Sequence, residues 1–225
     1  MMKPAFVAVS LTAVLLASGT ASATNLALTA DLGTTGVGLH MSLPLQKNLN
    51  ARLGFNTLNY SYSSSTSNVN YDSKLKLNTV DALVDYFPSA GSFRLTGGLT
   101  YNSSKITAVG RSNASGTFNF NGNTYTSTDA GQINGKIDFR KIAPYLGIGW
   151  GNALQKETGW GFSADAGVLF QGSPSTSLTS SGCTAPSSLC NQLSNDLDVE
   201  NNRLRDKAND LKLYPVLRVG ASYRF

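Results

Sequence analysis

The sequence predicts an all-β protein: an eight-stranded antiparallel up-and-down barrel that spans a membrane and carries a short helix in its last long loop. Three observations predict it. From Leu211 to Phe225 the odd positions (Leu211, Leu213, Pro215, Leu217, Val219, Ala221, Tyr223, Phe225) carry no charge, while the even positions hold every cation. Side chains along a strand point to opposite faces with a period of two, so one face is apolar and the other charged. Seven earlier segments repeat the alternation, joined by short turns alternating with mostly longer loops, the rhythm of a small barrel. With 22 Gly and only 14% charged residues, the composition fits turn-rich β structure.

In chain order, Lys3, the mainly apolar run Ala5 to Ala17, and Ala21-Ser22-Ala23 have the charge, core and cleavage-site order of a secretory leader. Residues 1–23 are therefore expected to be removed, leaving residues 24–225 to form the barrel. The leader is too short to span a membrane, and no later stretch has the roughly 18 unbroken apolar residues a spanning helix needs. A mature chain that enters lipid must then close as a barrel, because lipid offers no partner to an open strand edge.

Leu26 to Leu32 reads as the first strand and Gly33-Thr34-Thr35-Gly36 as a tight turn; no Lys followed by Ser or Thr completes a phosphate loop there. The second strand sets Val37, Leu39, Met41 and Leu43 against Gly38, His40 and Ser42. The third, about Leu49 to Tyr62, has Arg52, Gly54 and Asn56 on one side, and its pattern slips near Thr57 as a bulge would make it. Ser63 to Asp72 reads as a polar loop. The fourth strand ends with Val80, Ala82, Val84 and Tyr86 opposite Thr79, Asp81, Leu83 and Asp85, and the fifth runs from Phe93 to Asn102. A long polar loop follows to about Lys136, with Asn121-Gly122 as a hairpin signal inside it. Ile142 to Trp150 and Trp160 to Gln171 are the sixth and seventh strands.

One segment lacks a period of two. Between about Ser188 and Asn209, Cys190, Leu193, Leu197, Leu204, Ala208 and Leu211 recur near helical spacing, which predicts a short amphipathic helix. It either packs on the barrel rim or gives the 176–210 loop a surface for a partner. Cys183 and Cys190 lie nearby, and in an exported chain they read as a loop-closing disulfide; two thiols without a nearby His make a poor zinc shell.

Alternation does not say which face points outward, since a soluble ligand-binding barrel turns its apolar face inward. Three features favour apolar side chains on the outside. Aromatics (Tyr86, Phe93, Tyr101, Trp150, Trp160, Phe170, Tyr223, Phe225) stand near the ends of the apolar faces, as girdles at two membrane interfaces require. The polar faces are rich in Gly and small hydroxyl residues, which suits a narrow interior. The strand charges are sparse and of both signs, whereas a water-facing wall carries more. Arg52, Asp81, Asp85, Arg94, Asp165, Arg218 and Arg224 are those charges, and buried charges must be paired and hydrogen-bonded, so a polar network is expected to fill the lumen.

The leader, the eight alternating strands and the ending Val219-Gly220-Ala221-Ser222-Tyr223-Arg224-Phe225 resemble small Gram-negative outer-membrane proteins of the OmpA-transmembrane and OmpW-like kind. The resemblance implies residence in the cell outer membrane, contact with outer-membrane lipid, and recognition of Tyr223 and the terminal Phe225 by the barrel-assembly machinery. The helical insert before the last strand departs from the simplest members.

The function expected is that of a structural outer-membrane barrel with a charged, largely filled lumen and surface-exposed loops, without cofactor, metal or catalytic activity. A narrow channel for small or apolar solutes is the first rival. The second is a lipid A-modifying enzyme using His40 and Ser42. Residues i and i+2 on a strand point the same way but stand roughly 7 Å apart, so this pair is no dyad by itself. A net charge of +5 spread over single basic residues argues against nucleic acid.

Overall fold

A computed structural model describes residues 25–65, 69–112, 116–155 and 157–225; the predicted leader lies outside the described residues. The strands are β1 (Ala27–Gly33), β2 (Gly36–Gln46), β3 (Leu49–Ser65), β4 (Val69–Tyr86), β5 (Phe93–Asn102), β6 (Lys105–Ser112), β7 (Thr117–Phe120), β8 (Asn123–Thr126), β9 (Gln132–Asp138), β10 (Ile142–Trp150), β11 (Gly159–Phe170), β12 (Ser175–Ser181) and β13 (Leu213–Arg224). A one-turn helix α1 (Ser127–Ala130) precedes β9, and the long helix α2 (Ser187–Ala208) runs through a 3₁₀ turn, Asn209–Lys212, into β13.

Eight strands close on themselves in the order β1-β2-β3-β4-β5-β10-β11-β13, every pair antiparallel. They are the eight predicted from alternation. Closure removes every edge within the wall, which is what lipid demands. The termini share one end with the turns after β2, β4 and β10, and in barrels of this class that is the periplasmic end. The other end carries the insertions.

Alternation maps directly onto the wall. On β13 Leu217 and Val219 are 57% and 64% exposed, while Val216 and Arg218, which alternate with them, are 1% and 4% exposed. Apolar side chains therefore cover the outside and the charges lie within. Of the eight aromatics named from sequence, Tyr86, Phe93, Trp150, Trp160, Tyr223 and Phe225 stand at the periplasmic end and Tyr101 and Phe170 near the outer one, where Phe55 adds a third exposed ring. Girdles at two interfaces were expected and both ends do carry aromatics; their share at each end follows from the topology, which the strand ends alone do not reveal.

Above the barrel the chain is more ordered than its composition suggests. β3 and β4 form one hairpin whose register runs without a break from Leu49↔Tyr86 to Ser65↔Asn70, so the predicted bulge near Thr57 is absent and 63–72 is largely strand. The only register shift of β2 against β3 lies between Pro44 and Gln46. The polarity slip near Thr57 marks the point where the hairpin leaves the barrel. Past it β4 pairs with β6 instead of β5, then β6 with β9 and β9 with β12, so the predicted long polar loop contains strands. Asn121 and Gly122, both at positive φ (49° and 83°), turn β7 into β8 as a two-residue hairpin requires.

This surface domain has its own core of Phe118, Phe120, Tyr125, Ile133, Leu193 and Leu197. Leu189, Leu193 and Leu197 supply it from one face of α2, at a spacing of four. The helix thus packs down on the domain, and the disulfide Cys183–Cys190 ties its first turn to the preceding loop.

Candidate functional site

The lumen is built from glycine as much as from charge. A Cβ on Gly54 would stand 1.9 Å from His40 Cδ2, and one on Gly167 2.4 Å from Tyr145 Oη. Wall positions without a side chain make room for large ones reaching across.

The inward charges form two clusters, one in each half of the lumen. In the periplasmic half, Arg52 Nη2 donates to Asp85 Oδ1 at 3.0 Å and Nη1 to Asp165 Oδ2 at 3.1 Å. Arg94 Nη2 donates to Asp165 Oδ1 at 2.7 Å, and its Nη1 donates to the carbonyl of Gly151 in the turn beneath. Thr96 Oγ1 donates to Asp85 at 2.6 Å. All four charged side chains are 7% exposed or less.

The outer half holds the second cluster. Arg218 Nη2 donates to Asp81 Oδ2 at 2.8 Å, and Asn56 Nδ2 and Thr100 Oγ1 donate to the same carboxylate at 2.9 and 2.8 Å. His40 lies between two carboxylates, with Nδ1 2.6 Å from Asp31 Oδ2 and Nε2 3.2 Å from Asp81 Oδ2. Between the clusters the guanidinium of Arg218 sits 5.8 Å from the ring of Tyr145, which packs with Leu83, Leu169 and Val216. Burial at this depth is tolerable only because each charge meets an opposite one and further donors.

Sequence reasoning named Arg52, Asp81, Asp85, Arg94, Asp165 and Arg218, and all six face inward here. It missed Asp31. The signal was present, since Ala27, Thr29 and Asp31 alternate with Leu28, Ala30 and Leu32, and all three are buried. Arg224 lies at the periplasmic rim, where it donates to the Leu154 carbonyl and to Asn25 Oδ1. Tyr223 packs edge-on to Trp160 and to Phe225, with ring centroids 5.3 and 5.0 Å apart, and Phe225 is half-exposed.

His40 is not arranged as a catalytic base. It is 1% exposed, and both ring nitrogens already face carboxylates. Ser42 pairs across the wall with Arg52 and Ala27. Among the described residues no group of His, Cys, Asp and Glu could hold a metal ion.

In the surface domain a buried acid holds the helix to the hairpin, with Glu200 accepting from the Asn121 backbone N–H one turn further on. Asp196 interrupts the apolar face of α2, and accepts from Asn121 Nδ2 at 3.0 Å, Asn123 Nδ2 at 2.8 Å and Tyr125 Oη at 2.5 Å. Those bonds, the tyrosine's first, hold its carboxyl below the usual range. Burial and the adjacent carboxylate push the Tyr125 phenol up to about 12.

No protein-family model and no curated protein matches this chain. Among solved structures, the crystal structure of Acinetobacter baumannii CarO superposes with a TM-score of 0.56 at 25% identity, covering 88% of this chain and 97% of that one. The crystal structure of A. baumannii CarO2 gives 0.55 at 21% identity, covering 89% and 98%. The likeness spans barrel and surface domain together. An eight-stranded closed wall, apolar outside and charged within, that shares its fold with the CarO outer-membrane barrels makes this chain a small Gram-negative outer-membrane barrel protein.

Proposed function

We propose that the protein is a structural, non-enzymatic barrel whose filled lumen blocks free passage of solute and whose wall anchors a rigid surface domain. The supporting observation is the pair of ionic links Arg52–Asp165 and Asp81–Arg218, which cross the lumen at two levels. A cavity in the periplasmic half, bordered by Thr29, Ser42, Asn50, Arg52, Asp85 and Arg94, measures about 20 Å³, room for about one water. Planar-bilayer recording tests the reading. Wild-type protein is expected to give no discrete conductance steps, and the variant Arg52→Ala/Asp81→Ala/Asp165→Ala/Arg218→Ala, which removes the links at both levels, is expected to give them. Stable steps from the wild type contradict a plug.

A narrow channel for small or apolar solutes is the second reading. The separation of the ions into two clusters favours it, because each can rearrange without breaking the bonds of the other, and a path opens when both part. Lipid A modification is the weakest reading, given the occupied nitrogens of His40, and His40→Ala is expected to leave lipid A unaltered. Tyr223 and Phe225, at the end of the last strand, are read as the signal for the barrel-assembly machinery, and Phe225→Ala is expected to lower the folded yield in cells. A partner of the 176–210 segment would meet the polar side of α2, whose one large exposed hydrophobic is Val199.

A further inference from the structure

The lipid-facing side of the wall continues upward into the surface domain. At its outer end Phe55 pairs with Val80, Val80 with Tyr101 and Tyr101 with Ile142, all between 49% and 59% exposed. One step higher Thr57 pairs with Asn78; one step beyond that Lys76 pairs with Lys105, and Lys105 with Asp138. The next row sets Lys74 beside Thr107 and Thr107 beside Lys136. Cross-strand partners share a face, so these four lysines project from the side of the sheet that is continuous with the lipid-exposed wall. All four are exposed. Lys136 is paired with Asp138, whereas Lys74, Lys76 and Lys105 form no ion pair with any described residue.

Position gives the cluster its meaning. At about 3.4 Å per residue Lys76 stands roughly 14 Å along the strand from Val80, and less in height because barrel strands tilt by about 40°. A lysine stem reaching back toward the apolar band brings its ammonium to the headgroup layer of the outer leaflet. Phe55 and Tyr101 are the two rings among the four residues below the lysines. The surface therefore offers exposed cations just above the apolar band, with Asp138 opposite Lys105 already paired to Lys136 and Asp72 two residues from Lys74 on the same face.

We propose that Lys74, Lys76 and Lys105 seat the phosphate groups of lipid A. Anionic headgroups attract such cations by about fivefold in affinity for each lysine near the surface. The inference rests on the outer-membrane setting and is independent of whether the lumen conducts.

The test uses the refolded full chain in detergent, incubated with bisphosphorylated lipid A or its dephosphorylated form, with retained lipid counted by native mass spectrometry. Wild type is expected to prefer the bisphosphorylated lipid by at least about tenfold. K74Q/K76Q/K105Q is expected to lose that preference, K74R/K76R/K105R to keep it, and K47Q/K207Q, altered elsewhere, to match wild type. Folding of each variant is checked by its heat-dependent gel migration, and K76Q/K105Q replaces the triple variant if that one does not fold. Equal retention of both lipids by wild type, or an undiminished preference in the glutamine variant, overturns the proposal.

Discussion

Arg52 on β3 and Asp165 on β11 form an ion pair across strands that stand four places apart in a ring of eight, so a single contact spans the diameter of the barrel. Asp81 on β4 and Arg218 on β13 are related in the same way. Each link ties opposite sides of a wall whose hydrogen bonds join only neighbours, and the wall and its filling are expected to unfold together. Arg52→Ala leaves Asp85 and Asp165 short of a buried cation, and should cost about 3–5 kcal/mol. Urea unfolding in lipid vesicles measures it, and Arg52→Leu/Asp165→Leu should recover part of the loss.

Gly54 is required by His40 rather than by its own backbone. Gly54→Ala drives a methyl into the imidazole, and either the ring leaves its place between Asp31 and Asp81 or the wall shifts. Overpacking of this kind costs about 1–3 kcal/mol. The same unfolding assay should show the loss, and His40→Ala in the same chain should relieve the clash while forfeiting the ion contacts.

The outward face can be probed without touching the lumen. Arg at Val219 or at Ala166 places a cation against the hydrocarbon and should cost about 2–4 kcal/mol if those positions lie near the bilayer centre. A near-neutral result in a lipid folding assay would contradict the wall assignment.

Docking of α2 should depend on pH in a defined direction. Asp196 has its carboxyl held down in the folded state, so its contribution is present above the usual carboxylate value and is lost as pH falls through the folded one. Tyr125 is raised from 10.0 to about 12, so its contribution is full below 10.0 and fades as pH rises toward 12. Amide protection factors within Leu193–Leu197, taken against the intrinsic exchange rate at each pH, should therefore be highest between those limits. Asp196→Asn should flatten the acid side.

Reduction of Cys183–Cys190 should loosen only the start of α2. Closing a loop with a sequence separation of 7 restricts the unfolded chain by about 2.5 kcal/mol. Cys183→Ser/Cys190→Ser is expected to speed proteolysis near Ser187 and to leave barrel migration on gels unchanged.

The barrel strands were legible because lipid enforces a strict alternation, which Leu211 to Phe225 displays almost to its last residue. The inward charges followed from the same rule. Their partners did not, since which strands face each other across the lumen depends on ring closure and stagger. His40 looked solitary because Asp31 sits on a short first strand whose polar face holds only Ala27 and Thr29 besides. The strands β6, β9 and β12 were illegible for a different reason. They stand in water, so residues such as Thr107, Asn134 and Ser177 carry no lipid-facing stripe, and their apolar side is shared among Ile106, Ile133 and Leu178 on separate strands. Only Asn121-Gly122, a turn with its own chemistry, marked structure there.

Site-directed spin labels placed one at a time from Leu213 to Tyr223, in protein reconstituted into lipid vesicles, test the inside-out wall most directly. Collision rates with oxygen dissolved in the bilayer should rise at Pro215, Leu217, Val219 and Ala221 and fall at Val216, Arg218 and Gly220. Rates without that period of two, or high rates for a water-soluble collider at the apolar positions, would contradict a barrel that turns its apolar side to lipid and its charges to the lumen.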